Sequence, residues 1–293
     1  MASITTFIEQ YNNNDLYLEV FGYGYDTYVS AVRDSYRRQF INERQQENRL
    51  RVSSLGKYAV VQALQCFGVH EDRGNIRGAQ ADMFHVGDVT EAKLIALMKA
   101  YGLQVTHEQH EVTWHGVLGH MDCVVDGMVI DVKTCNDGNF KRYQKKLPLT
   151  YLTQIGVYAD ALKYANCGIL LYNRNTCELA LSVPDHDDIK EALERAEHIA
   201  TAIPTLDSVS QIWEHFDTPD PLEEVFQKQK TGRYYVPYDV RSPYDELLYE
   251  TVSDVSGYGN ERKYVTRLRE PQEIEEMVKN QKVLDQIYEL YTE

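Results

Sequence analysis

The chain has 293 residues, 26% of them charged and 43% hydrophobic, an ordinary globular composition long enough to bury a substantial core. Thirty Lys and Arg stand against forty-five Asp and Glu, giving a net charge of −15 and an isoelectric point near 5.1, which excludes a globally basic nucleic-acid binder. The longest apolar runs, 58–64 and 167–172, are too short for a bilayer, and residues 1–7 carry no export signal, so a cytoplasmic protein with no membrane partner is expected.

Five cysteines (Cys66, Cys123, Cys135, Cys167 and Cys177) fall at irregular spacing without a CxxC pair, which predicts reduced thiols rather than a disulfide framework or zinc site. Residues 1–52 are polar and Tyr-rich, with an Asn12-Asn13-Asn14 break, and read as an N-terminal extension of helix and loop. The glycines of 21–25 lack a following helix signal and read as a turn. Ser53-Ser54 can cap a helix with Leu55, Tyr58, Val61, Leu64 and Cys66 on its apolar face, and 72–80 reads as a loop. Thr90-Glu91 then opens a second helix, carried by Ala92, Ile95, Ala96 and Met98 and ended by Gly102.

From Gln104 the period changes. Val105, Thr113, Val117, Val124, Val125, Val129, Ile130 and Val132 are β-formers, and three short antiparallel strands fit them, the last pair joined by a tight turn at Asp126-Gly127. A basic loop over 136–148, a helix over 151–164, a buried strand over 168–173, its hairpin partner over 178–183 and a helix over 189–202 follow. This order predicts an α/β (α+β) core over roughly 85–205, with N- and C-terminal additions. Residues 205–293 hold 19 Asp and Glu against 10 Lys and Arg, an acidic Tyr-rich extension expected to pack on the core. Within it 234–264 shows no convincing period, and a helix is expected over 273–291.

Residues 119–134 concentrate the chemistry. Asp122 interrupts one apolar strand, and nine residues later Asp131 and Lys133 interrupt the next. Positions i and i+2 of a strand share a face, so Asp131 and Lys133 emerge together and the partner strand can bring Asp122 alongside. Two carboxylates and an ammonium within Val/Ile strands are costly unless a metal or mutual pairing compensates. Hard oxygen donors favour Mg2+ or Mn2+, and a neighbouring lysine can activate water or stabilise charge at phosphorus. The alternative, an exposed salt-bridged strand rim, is opposed by the apolar residues on either side.

Asp122…Asp131-Val132-Lys133 resembles the D…(D/E)-x-K signature of the PD-(D/E)xK nuclease superfamily, in its RecB-like, Cas4-like and lambda-exonuclease-like branch. Gly87-Asp88-Val89-Thr90-Glu91 is similar to the branch's G-x-x-x-E on the first core helix, and Gln154-Ile155-Gly156-Val157-Tyr158 to its Q-x-x-x-Y. The resemblance covers about residues 53–185 and implies a restriction-endonuclease-like fold, a central mixed β-sheet flanked by helices, in a nuclease core over 53–204. By this resemblance Asp122, Asp131, the Val132 carbonyl, Glu91 and His85 would hold Mg2+ (with Mn2+ able to substitute), while Lys133, Gln154 and Tyr158 would complete the catalytic set. Met121 stands where the superfamily has Pro. The branch's iron–sulfur members use four cysteines, three closely spaced near the end of the fold; that set is missing here, so no cluster is expected. No Walker A motif is present.

Glu91 could alternatively be a helix N-terminal carboxylate, His85 a structural histidine, and Gln154 and Tyr158 packing residues. His107, His110, His115, His120 and Cys123 are spaced too irregularly to suggest a zinc site, although His120 shares a face with Asp122. Two basic islands relieve the acidic average: 33–57 and 133–146 each carry +4. Lys141, Arg142, Lys145 and Lys146 in one, with Arg51 and Lys57 in the other, are the expected DNA contacts, and Tyr143 and Tyr151 could stack on unpaired bases. The implied activity is a metal-dependent deoxyribonuclease, an exonuclease acting at DNA ends in recombination, repair or phage genome processing. Its implied partners are DNA and a recombination or single-strand-binding protein, and ring-forming relatives admit an oligomer. An endonuclease with the same site and a non-catalytic scaffold on a nuclease fold are the alternatives.

Overall fold

The β-branched run around Asp131 forms the central strand of a five-stranded sheet in the computed structural model of the protein, which describes residues 2–13, 25–37, 40, 48–69, 79–216, 234–235, 244–257 and 260–292. The strands are β1 (Val105–Thr106), β4 (Cys123–Val125), β5 (Met128–Cys135), β6 (Asn166–Asn173) and β7 (Leu179–Ser182), in the order β1-β4-β5-β6-β7. β5 pairs in parallel with β6 and the other neighbours are antiparallel, so the sheet is mixed. β2 (His110–Trp114) and β3 (Val117–Met121) form a separate antiparallel pair. This is the expected mixed α/β architecture, a central mixed sheet flanked by helices.

Asp126 and Gly127 join β4 to β5 with φ of 49° and 81°, the left-handed pair a two-residue hairpin requires. The parallel step from β5 to β6 needs a crossover, supplied by α5 (Asp137–Tyr143) and α6 (Leu149–Leu162). Alternation along β5 divides its side chains. Ile130 and Val132 join Cys123, Val125 and Leu170 in a core closed by Phe7 of α1 (Ile4–Asn12) and by Leu94 and Met98 of α4 (Ala79–Ala100). Asn12 clips α1 to the edge strand, its side chain exchanging hydrogen bonds with the Leu179 backbone at 2.8 and 2.9 Å.

On the other side α6 lies against β5 and β6. Close approach there is obtained with glycine: a Cβ on Gly119 would sit 2.7 Å from Val52 Cβ and 2.8 Å from Tyr158 Cε1, and one on Gly56 only 2.4 Å from Thr150 Cα. The Trp114 indole donates to Asp160 at 2.8 Å, tying the β2–β3 pair to α6, and Gly156 lets Ile189 and Leu193 of α7 (His186–Ala202) approach.

Internal contacts divide the chain into two units. The first holds Met1–Gln45, Arg51–Gly56 and Gly74–His198, and includes α2 (Tyr25–Tyr36). The second holds Gln46–Leu50, Lys57–Arg73 and Ile199–Glu293. Its elements are α3 (Ala59–Cys66), α8 (Ile212–His215), β8 (Tyr234–Tyr235), α9 (Asp245–Leu248), β9 (Tyr249–Gly257), β10 (Asn260–Leu268) and α10 (Pro271–Thr292), with the strands ordered β8-β10-β9. Arg267 bridges Glu250 and Glu273, each at 3.0 Å, and so links β9, β10 and α10.

Several elements differ from the sequence reading. α4 begins at Ala79, so Gly87 and Glu91 lie inside a helix instead of opening one; the good helix formers around Ala81 and Met83 outweigh a single Gly, which costs only about 1 kcal/mol. The basic 136–148 stretch contains a helix, α5, nucleated by Asn136, whose side chain accepts from the Asn139 N–H at 2.8 Å. The 53–66 helix is split, a short 3-10 turn at Val52–Ser54 preceding α3, because Gly56 passes against the Thr150 backbone. The aperiodic 234–264 stretch contains β9 and the first half of β10, which pair as an antiparallel hairpin. The expected turn over 21–25 falls, except for Tyr25, outside the described residues. Among the described residues no helix is long and apolar enough to cross a membrane.

Candidate active site

β5 presents Asp131 and Lys133 on one face because they are two residues apart, and the face is the one covered by α6. Cys123 pairs with Ile130, which sets Asp122, the residue between β3 and β4, beside the next step of β5. Asp122 Oδ2 accepts the Val132 N–H at 2.6 Å. Asp131 is fully buried, and its Oδ2 lies 2.7 Å from Lys133 Nζ. Asp131 Oδ1 accepts no hydrogen bond among the described residues.

Glu91 arrives from α4, and its Oε1 accepts a hydrogen bond from the Gln109 side chain. Burial, then the neighbouring Asp131 charge, push the Glu91 carboxyl up to about 7, although the Gln109 bond opposes the change. Asp122 is held well above the usual carboxylate range, first by burial and then by Asp131 and Glu91, against the opposing Lys133 charge and Val132 N–H. Burial alone would depress the Lys133 ammonium, but the Asp131 and Asp122 charges outweigh it and raise it above the ordinary lysine value. Three carboxyl groups thus crowd around one ammonium, too little positive charge for a buried cluster.

α6 supplies the polar wall. Gln154 and Tyr158, four apart, share a face, and the Gln154 side chain donates to the Tyr158 hydroxyl at 3.3 Å. Burial raises the Tyr158 phenol, which is 2% exposed, so its proton stays in place. One turn earlier Tyr151 places its ring centroid 5.4 Å from Lys133 Nζ.

The structure therefore brings Asp122, Asp131, Lys133 and Glu91 into one electrostatic cluster, with Gln154 and Tyr158 beside it. Val132 lies in the cluster through its backbone. His85 is engaged elsewhere: its Nδ1 is 2.9 Å from Ser35 Oγ of α2, and its ring meets Tyr36 and Phe40 edge-on. His120 is exposed, 3.4 Å from Glu111. Of the expected DNA contacts, Lys141 pairs with Asp137 at 2.8 Å and Arg142 lies over the Tyr143 ring, while Lys145 and Lys146 are exposed. Arg51 is exposed in the first unit and Lys57 belongs to the second.

Two residues of the cluster were not singled out for it by their spacing. Gln109 sits in a loop and carries no motif. Tyr151 had a signal, its position three before Gln154 on the same helix face, but that spacing fits packing equally well.

Among the described residues no three His, Cys, Asp or Glu side chains converge into a ready-made metal cage. Mg2+ does not need one, since it typically takes one or two carboxylates and completes its shell with water and substrate phosphate. The orphaned Asp131 Oδ1 and the excess of carboxyl groups fit a hard divalent cation.

No family model matches the chain, and no curated protein matches it. Among solved structures it is similar to SSO0001, with 15% identity over 57% of this chain and 83% of that one and a TM-score of 0.37. It is also similar to the alkaline exonuclease LHK-Exo of Laribacter hongkongensis (14% identity, 54% and 89% coverage, TM-score 0.40) and to LHK-Exo in complex with dAMP (13%, 59% and 92%, TM-score 0.38).

Proposed function

We propose that the chain is a metal-dependent deoxyribonuclease that hydrolyses DNA phosphodiester bonds, an exonuclease acting at DNA ends. The observation that carries the reading is the contact of the buried Asp131 with the partly buried Lys133, with Asp122 anchored on the intervening Val132 N–H. Asp122 and Asp131, with the Val132 carbonyl and Glu91, would hold Mg2+, and Mn2+ would substitute for it. The bound cation would supply Lewis-acid stabilisation of the charge that develops on the phosphate. Lys133 would orient the attacking water and stabilise the phosphoryl oxygens electrostatically. Gln154 and the neutral Tyr158 hydroxyl position the water or the scissile strand.

The exposed Lys145 and Lys146 would follow the DNA backbone, with DNA and a recombination or single-strand-binding protein as partners. We place the reaction in recombination, repair or phage genome processing in the cytoplasm. The test is incubation of linear and covalently closed circular DNA with Mg2+, using the protein itself, Asp131→Ala and Lys133→Ala. Degradation of linear DNA alone, lost in both variants, is expected. Cleavage of closed circles would make the protein an endonuclease, and full activity in both variants would remove the site assignment.

A further inference from the structure

Lys133 carries its charge on a flexible four-carbon stem, so the Asp131 contact by itself leaves the direction of the other two N–H donors open. A cation bound at Asp131 would also compete with Lys133 for that carboxylate. Tyr151 restrains the same ammonium without using Asp131. Lys133 Nζ lies over its ring, 5.4 Å from the centroid, within the range of a cation–π contact.

The ring is itself braced. Tyr143 meets it nearly edge-on at 5.4 Å with 68° between the planes, an arrangement aromatic pairs prefer. Tyr143 is buried, its carbonyl accepts from Ser182 Oγ of β7 at 3.1 Å, and its hydroxyl accepts from Arg142 at 3.2 Å. The Arg142 guanidinium also lies 5.0 Å from the Tyr143 ring. Supports from α5 and β7 thus hold a ring carried by α6.

Resting on the nuclease reading above, we propose that Tyr151, backed by Tyr143, is a positioning residue that fixes the Lys133 ammonium through its ring face. The ring's electron density is what matters, not the hydroxyl. The variants are Tyr151→Phe, Tyr151→Leu and a series with mono-, di- and trifluorophenylalanine at position 151, which keeps the ring's shape while draining its negative face. Cleavage of linear DNA with Mg2+ is expected within about twofold of wild type for Tyr151→Phe, and kcat is expected to fall stepwise with fluorination to about tenfold at steady KM. A flat fluorination series overturns the proposal, as does a rise in KM at constant kcat, which would mark Tyr151 as a base-stacking residue instead.

A second readout is independent of activity: the ring-current shift of the Lys133 side-chain resonances in lysine-labelled protein, assigned by their loss in Lys133→Arg. The shift should persist in Tyr151→Phe and disappear in Tyr151→Leu, and an unchanged shift in Tyr151→Leu overturns the restraint. A wild-type protein that cuts no DNA sinks the nuclease reading, and the resonance shift then still decides whether the ring holds the lysine.

Discussion

At the residue scale the cluster around Asp131 trades stability for chemistry. Glu91 titrates near 7 in the folded chain and near 4.5 when unfolded, so the folded state holds its proton over the intervening range and loses stability as pH rises through it. The raised Asp122 carboxyl acts in the same direction. The metal-free protein should therefore melt at lower temperature at pH 8 than at pH 5, with up to about 3 kcal/mol of the difference due to Glu91. Thermal melts of Glu91→Gln should show a flatter pH dependence; an unaltered slope would place the cause elsewhere. Removing the one cation has the opposite sign. Lys133→Met leaves Asp131 buried without its partner and should cost about 3–5 kcal/mol in denaturant unfolding at neutral pH. Substitution of a true surface pair would cost less than about 1 kcal/mol.

At the element scale, the site depends on how closely α6 and the β2–β3 pair can approach. Gly119→Ala would push a Cβ to within 2.7 Å of Val52 and 2.8 Å of Tyr158, so it should destabilise the protein by about 1–3 kcal/mol and lower activity by displacing Tyr158. A Gly119→Ala protein with wild-type melting and cleavage would show that the contact relaxes freely. α1 offers a contrasting case. Phe7 is fully buried against the β5–β6 face opposite Asp131, and Phe7→Ala should cost about 3–5 kcal/mol in unfolding while leaving KM unchanged. The turn at Asp126-Gly127 and the strand character of 123–132 were readable because both follow from local rules, left-handed turn residues and β-branched alternation. α1 was not: its Phe7 becomes core only because β6 and β7 place Leu170 and Leu179 beneath it. Gly87 hides the start of α4 for a related reason, since it signals a break locally and a long packed helix absorbs it.

At the scale of the whole molecule, a chain with net charge −15 can hold a polyanion only through a local field. Lys145 and Lys146, which the structure leaves exposed, define where that field should act, whereas Lys141 is partly neutralised by Asp137. Binding to a DNA end should weaken steeply with salt, with a logarithmic slope near −0.9 per neutralised phosphate. Lys145→Glu with Lys146→Glu should lower affinity by more than about tenfold and flatten that slope, measured by fluorescence anisotropy across a salt series. Equal affinity and slope in the double variant would place DNA elsewhere.

The sequence by itself determined which charged residues cluster and their spacing. Strand alternation required Asp131 and Lys133 to share a face, and the β-turn required Asp122 to return beside them, because both follow from backbone geometry over a few residues. The tertiary structure alone decided what surrounds that pair. Glu91 with Gln109 from one side of the chain and Tyr151 from another meet Lys133 and Asp131 across 18 or more residues of separation, and His85, equally plausible by position, is drawn toward Ser35 instead. The physical reason is that such meetings depend on how helices pack on the sheet, and helix packing is set by the sum of many apolar contacts rather than by any one residue's neighbours in sequence.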